Sequence, residues 1–214
     1  MLRPLVPREL TLDTFEGRAF VGLVPFAMQG VRPRWAPAVP GVSTFLETNV
    51  RTYVHHEGAE PGVWFFSLDA ASRVAVELAR MLFHLPYWKA AMRMRRDADV
   101  VEYHSRRARA SGRQEHASTD VRWVVKEPIG DATPGTLEHF LAERYVLYAT
   151  DRASALWLGR VHHSPYPLHR ARVERIEESL LAAAVIPRTG EPASVLYSPG
   201  VDVEVFALQP AGTA

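Results

Sequence analysis

The chain has no cysteine, only two lysines, no long apolar run and almost no net charge, and each absence removes a class of function. Without cysteine there are no disulfides, no thiolate metal sites and no thiol nucleophile. Basic and acidic residues number 25 and 24, for a formal charge of +1, so no global field points to nucleic acid or to a membrane surface. No apolar stretch approaches the roughly 18 residues of a membrane span, and no charged–apolar–small signal segment opens the chain. The expectation is a cytoplasmic protein with no nucleic-acid or membrane partner. A Gly-rich dinucleotide turn, a phosphate-cradling G-x-x-x-x-G-K, H-E-x-x-H and G-x-S-x-G are all missing, and no cofactor is called for.

What is present is a 214-residue chain, 47% hydrophobic, that reads as a single domain over residues 1–214. Strand-like runs dominate: Leu10 to Leu12, Ala19 to Met28 with Pro25 forcing an edge or a bulge, Phe45 to His56, Gly62 to Leu68, a hairpin around Asp97-Ala98-Asp99, Val121 to Lys126, Ala155 to His163, and a strand–turn–strand ending at Leu208. Three helices are expected. One follows Asp69 or Ser72 as cap, with Val74, Leu78, Met81 and Leu82 on its apolar face. A second runs from Leu137 to Ala149, with Leu137, Leu141, Tyr145 and Tyr148 near one face, and a third from Ala171 to Ala184. Residues 29–43 form a Pro-rich loop carrying Pro33, Pro37 and Pro40. Many strands and few helices argue an α+β fold with a strongly bent antiparallel sheet or barrel.

Strict alternation in the strand from Phe45 places Glu47, Asn49, Arg51 and Tyr53 on one face. By itself this is the wet side of a sheet or the wall of a polar pocket. The pairs His55-His56 and His162-His163 point to opposite faces when they lie on strands, so neither chelates one metal ion. Arg106, Arg107, Arg109 and Arg113 lack interleaved aromatics and read as a solvated loop. Lys89, in LPYWKAAM, follows Tyr87 and Trp88. A lysine desolvated between rings becomes nucleophilic, whereas one that snorkels past them does not.

The phrases LRPLVP, GRAFVGLVPF, GVRPR, ETNVRTYV, GVWFFSLDA, LPYWKA, LEHFLAERYVLY, VHHSPYPL and YSPGVDVEVF, spread nearly end to end, resemble the bacterial YqjF-like proteins, domain of unknown function 2071. That family begins with a strand rich in Trp and His, which this chain lacks. More distantly, LRPLVP, FLE, SLDAASRVAVELARMLF and LPYWK are similar in order to features of acetoacetate decarboxylase. The resemblance implies a curved antiparallel β-barrel-like fold with about three helices and a central pocket. It matches Glu47 to the decarboxylase's strand glutamate. The position of the Schiff-base lysine falls on Tyr87 and that of its lysine neighbour on Trp88, with Lys89 one step later. A second active-site glutamate falls near Val21 or Gly22, and a substrate-binding arginine lies before Met1.

The resulting expectation is a pocket lined by Glu47, Asn49, Arg51, Tyr87 and Lys89 that binds a small acidic or carbonyl-containing molecule, without metal. The alternatives are a lysine-dependent decarboxylase-like lyase using Lys89 and Glu47, and a structural or interaction protein with a filled barrel. The absent first strand leaves an apolar sheet edge near residues 19–28, which invites pairing with a second copy. Sedimentation at micromolar concentration is expected to give a dimer. A lone 24.0 kDa species would refute it.

Overall fold

The computed structural model describes residues 1–29, 44–108 and 117–212, without the side chain of Leu78. The expected Pro-rich loop, with Pro33, Pro37 and Pro40, lies outside the described residues, as do Arg109 and Arg113. After a short 3-10 turn at Arg3–Leu5, the order is β1 (Leu10–Leu12), β2 (Val21–Met28), β3 (Phe45–His56), β4 (Ala59–Ala70), α1 (Arg73–Phe83), β5 (Tyr87–Asp97), β6 (Val100–Arg107), β7 (Ser118–Gly130) and α2 (Leu137–Ala142). Then come β8 (Val146–Thr150), β9 (Leu156–His163), β10 (Leu168–Glu178), α3 (Leu180–Ala183), β11 (Leu196–Tyr197), β12 (Val203–Val205) and β13 (Gln209–Pro210).

The expected α+β class holds, with the strands joined in one curved mixed sheet. β3 and β4 form its centre as a long antiparallel hairpin, and β1 and β2 pair along the other edge of β3. Among the described residues no strand lies on the far side of β2, and Pro25 falls on this outer strand, where a missing N–H is tolerated. The free edge of β4 is shared. Val63 and Trp64 pair in parallel with Leu147 and Tyr148 of β8, whereas Leu68 to Ala70 pair in parallel with Tyr87 to Lys89 of β5. The sheet therefore branches at β4, one arm running through β8 and β9 and the other through β5, β6, β7 and β10. A bulge at Phe66 marks the branch, since Ser67 pairs with Val50 but Phe65 with Arg51. Glycine is required at Gly62, where a Cβ would stand 2.6 Å from the Val146 carbonyl oxygen.

The three expected helices differ in detail. Ser72 caps α1, its Oγ accepting from the Ala75 N–H at 3.3 Å. The expected apolar stripe is turned outward, with Val74, Met81 and Leu82 50%, 66% and 58% exposed. The helix instead buries Val76 and rests Phe83 on the core around Leu68 and Leu85. The helix expected from Leu137 to Ala149 stops at Ala142. Arg144 turns inward to Asp13 at 2.6 Å, and the continuous apolar run after it is buried on both faces as β8. The expected helix from Ala171 to Ala184 is mostly strand β10. Its pairing with β7 shifts register between Val173 and Arg175, so the half-buried Val173 and Ile176 lie three residues apart, and the buried Leu180 of α3 follows four residues on. A bulged strand thus imitates helical spacing.

The buried ion pair between Asp69 of β4 and Arg107 of β6 ties the centre of the sheet to the second arm. Arg107 Nε reaches both carboxylate oxygens at 3.0 and 2.9 Å, Nη2 reaches Oδ1 at 2.8 Å, and the Arg107 side chain is 2% exposed. Arg107 is therefore a core residue and not part of a solvated loop. Removing Asp69 alone leaves a buried cation, so Asp69→Ala is expected to cost about 3–5 kcal/mol in urea denaturation. The double change Asp69→Leu with Arg107→Met is expected to cost clearly less.

Candidate functional site

Glu47, Asn49, Arg51 and Tyr53 share one face of β3, as alternation requires, but that face is not wet. Glu47 is 3% and Asn49 5% exposed. Residues directly opposite one another in an antiparallel pair share a face. Phe26 and Ala70 therefore flank Glu47, Val24 and Leu68 flank Asn49, and Gly22 and Phe65 flank Arg51. A third strand brings Tyr87 opposite Leu68 and Lys89 opposite Ala70. β3 is covered on its other face too, where Thr48, Val50, Thr52 and Val54 are all buried.

Glu47 is the electrostatic centre of this face. The Tyr87 hydroxyl donates to its Oε2 at 3.0 Å, and burial raises the Glu47 pKa from 4.5 to about 8. The Tyr87 hydrogen bond opposes that shift, and the nearby charge of Asp69 adds to it. Glu47 is therefore a neutral carboxylic acid at pH 7, able to donate a proton in a hydrogen bond. Burial, together with Glu47, pushes the Tyr87 hydroxyl well above its ordinary range, so Tyr87 remains a phenol. From behind, the buried Tyr103 hydroxyl donates to the Glu47 carbonyl oxygen at 2.7 Å and accepts from Thr48 Oγ1 at 3.1 Å.

Arg51 lies at the other end of the face. Its Nη2 donates to the Leu141 carbonyl at 3.1 Å, and its guanidinium sits 5.7 Å from the centre of the Tyr53 ring. The Arg51 Nε and the Asn49 Oδ1 are buried with no partner among the described residues. Arg51 also acts on Tyr166, whose hydroxyl is raised by burial against the pull of the Arg51 charge. Tyr166 and Tyr145 enclose His163 at ring separations of 4.6 and 4.5 Å. His163 Nδ1 lies 2.8 Å from the Ser164 carbonyl oxygen, which fixes it as the protonated nitrogen.

Lys89 does not join Glu47 by hydrogen bond. Its Nζ donates to the carbonyl oxygen of Ala71, in the turn that leads into α1. The structure thus brings Glu47 and Tyr87 into contact, keeps Asn49 and Arg51 on the same buried face, and turns the amine of Lys89 to backbone. Among the described residues no cluster of three or more His, Asp or Glu could hold a metal ion.

Sequence reading missed the support behind the site. Asp69 passes for a helix cap and Arg107 for a loop residue, yet they pair under Trp88, whose ring centre is 4.8 Å from the Arg107 guanidinium. The available signal was alternation in β6, where Val101, Tyr103, Ser105 and Arg107 all point inward. Ser67, Ser105 and Thr119 on this interior also bury hydroxyls without a partner among the described residues.

A family profile described as DUF2071, uncharacterized conserved protein, matches residues 1–202. The chain is 40% identical over 174 residues to the uncharacterized protein YqjF of Bacillus subtilis (strain 168), covering 81% of this chain and 69% of that one. It is similar in fold to a solved acetoacetate decarboxylase, with a TM-score of 0.60 at 14% identity over 97% of this chain and 82% of that one. An acetoacetate decarboxylase-like enzyme from Sphingomonas wittichii RW1 gives a TM-score of 0.56 at 13% identity, over 97% and 79%. Acetoacetate decarboxylase from Legionella pneumophila gives 0.53 at 13% identity, over 97% and 75%.

The raised pKa of Glu47 makes stability depend on pH. Between pH 4.5 and about 8 the folded chain holds a proton that the unfolded chain has lost. Stability from this group is greatest below that window and falls as pH rises through it, by up to about 1.4 kcal/mol per pH unit. Urea denaturation across the window is expected to show this slope in the native protein and to lose it in Glu47→Gln. Equal slopes would mean that Glu47 ionises normally.

Proposed function

The chain belongs to the domain of unknown function 2071 family, and we propose that it binds a small acidic or carbonyl-containing molecule without a covalent bond to it. One observation supports this reading above others. A neutral, buried Glu47, held by Tyr87, shares a face with an Asn49 oxygen and an Arg51 nitrogen that have no partner among the described residues. A protonated carboxyl donates to a carbonyl oxygen as an anionic one does not. Arg51 supplies the positive charge that a carboxylate seeks. Tyr87 holds Glu47 in place, and its phenol does no nucleophilic chemistry at neutral pH.

The alternative lysine-dependent lyase needs Lys89 free to attack a carbonyl. With the Lys89 amine donating to the Ala71 carbonyl, and the Glu47 carboxyl bonded to Tyr87, that geometry does not support imine chemistry. The filled-barrel alternative leaves the unpartnered Asn49 and Arg51 atoms without explanation.

Calorimetry with levulinate, a small keto acid, tests the reading. Binding is expected below pH 7 and is expected to weaken at least about tenfold above pH 9, as Glu47 loses the donated proton. In Glu47→Gln, whose amide still donates, the pH dependence is expected to vanish. Borohydride reduction in the presence of acetoacetate is expected to leave the mass of the protein unchanged. A covalent adduct on Lys89 that is absent from Lys89→Ala would establish the lyase alternative instead.

A further inference from the structure

We infer that copies of this chain associate through two unlike sheet edges, β12 of one copy adding as an antiparallel strand to the free edge of β5 in the next. The edge of β5 is bare because β4 ends first. β4 pairs with β5 over Tyr87 to Lys89, and among the described residues no strand lies beside Ala91 to Asp97 on that side. The Ala108 N–H bonds the Lys89 carbonyl, so odd-numbered residues of β5 bond toward β6, and the unbroken register of that pair carries the alternation to Asp97. Met92 and Met94 therefore turn their backbone N–H and C=O groups outward. β12 pairs on one side with β9, and among the described residues no strand lies on its other side. The Phe206 N–H bonds the Arg160 carbonyl, so Glu204 bonds toward β9 while Val203 and Val205 turn their backbone groups outward.

Joining outward groups to outward groups sets Val203 opposite Met94 and Val205 opposite Met92. The same register sets Glu204 opposite Arg93 and Asp202 opposite Arg95, and opposite charges directly across a strand pair attract. Arg93 and Arg95 are exposed and make no ion pair among the described residues, while Glu102, opposite Arg95 within the chain, is held by Arg122. On the other face apolar meets apolar, since Met94, Val203 and Val205 are 43%, 43% and 48% exposed. Each edge also repels its own kind. Two β5 edges paired about Met94 would set Arg93 against Arg95, and two β12 edges paired about Glu204 would set that carboxylate against itself. The β2 edge is less suited to pairing. The Tyr53 carbonyl accepts from the Asp13 N–H, so odd-numbered residues of β3 bond toward β1 and β2. Pro25, opposite Thr48, then has its nitrogen on the outer side, and that edge lacks a donor midway.

The contact is small, so its dissociation constant is expected to be on the order of 100 μM. Sedimentation of the full native chain at and above that concentration, in low salt, is expected to show species larger than 24.0 kDa, and fewer of them as salt rises. Arg93→Glu with Arg95→Glu, and separately Asp202→Lys with Glu204→Lys, are each expected to stay at 24.0 kDa. Mixed together, the first variant offers an intact β12 and the second an intact β5 edge, so a 1:1 pair and nothing larger is expected. A chain carrying all four changes is expected to associate again. A native chain that stays at 24.0 kDa, variants that associate as the native chain does, or a mixture that fails to pair would overturn the inference. Hydrogen exchange on the native chain decides the matter even if a variant fails to fold. The amides of Met92, Met94, Val203 and Val205 are expected to exchange more slowly as concentration rises, and those of β2 to be unchanged. Slowing confined to β2 would place the contact there instead.

Discussion

A central strand covered on both faces cannot carry polar side chains without partners for them, and the rest of this molecule answers that constraint. β3 bears Glu47, Thr48, Asn49 and Thr52 in buried positions. Thr52 Oγ1 donates to the Phe20 carbonyl at 2.8 Å, and Thr48 is tied to Tyr103. Glu47 meets the constraint by keeping its proton, which removes the charge that burial would otherwise penalise. Asp69, one strand away, is also raised by burial, but its ion pair with Arg107 opposes that rise and gives its charge a partner. Two carboxyl groups close in space thus meet burial in different ways for identifiable reasons. Asn49 and Arg51 meet it only in part, and that remainder gives the face its chemical interest.

Much of the fold was legible in the chain because strand alternation, turn residues and caps are local signals. β3 and the hairpin of β5 and β6 lie where their patterns place them, and Ser72 caps α1 as expected. The local signal failed where pairing altered the period. In β10 a register shift against β7 leaves Val173 and Ile176 half-buried three residues apart, a helical interval that Leu180 of α3 continues, and the charged residues between Val173 and Ile176 face Arg122 and Asp120 across the sheet. In β8, burial on both faces erased alternation altogether. The exposed stripe of α1 failed differently, since an apolar face read from sequence carries no information about which neighbour exists to cover it.

The site divides along the same line. Glu47, Asn49 and Arg51 fall on one face because a strand's period is fixed by its backbone. Tyr87 reaches Glu47 through a parallel pairing of β4 with β5, a contact 40 residues apart in sequence. Alternation alone gave no means of seeing that the face was dry. Its cover comes from distant elements, with Phe140 of α2 packed on the Tyr53 ring and Tyr87 of β5 on Glu47. The same limit hid Arg107. Its arginine-rich surroundings suggest solvent, while the inward series Val101, Tyr103, Ser105 carries it into the interior.

The branch at β4 has a consequence for how the chain finds its shape. β3 with β4, and β5 with β6 and β7, are antiparallel neighbours in sequence and require little loop closure. Val63 and Trp64 must instead find Leu147 and Tyr148, 84 residues downstream, in parallel register. Loop-closure entropy opposes this contact until the intervening arm has condensed, so it belongs to the late, slow part of folding. Until β8 arrives, the start of β4 presents an unpaired apolar edge. On the ribosome that edge stays open while more than eighty further residues are made, so nascent chains depend on other contacts, or on chaperones, to keep it from pairing wrongly.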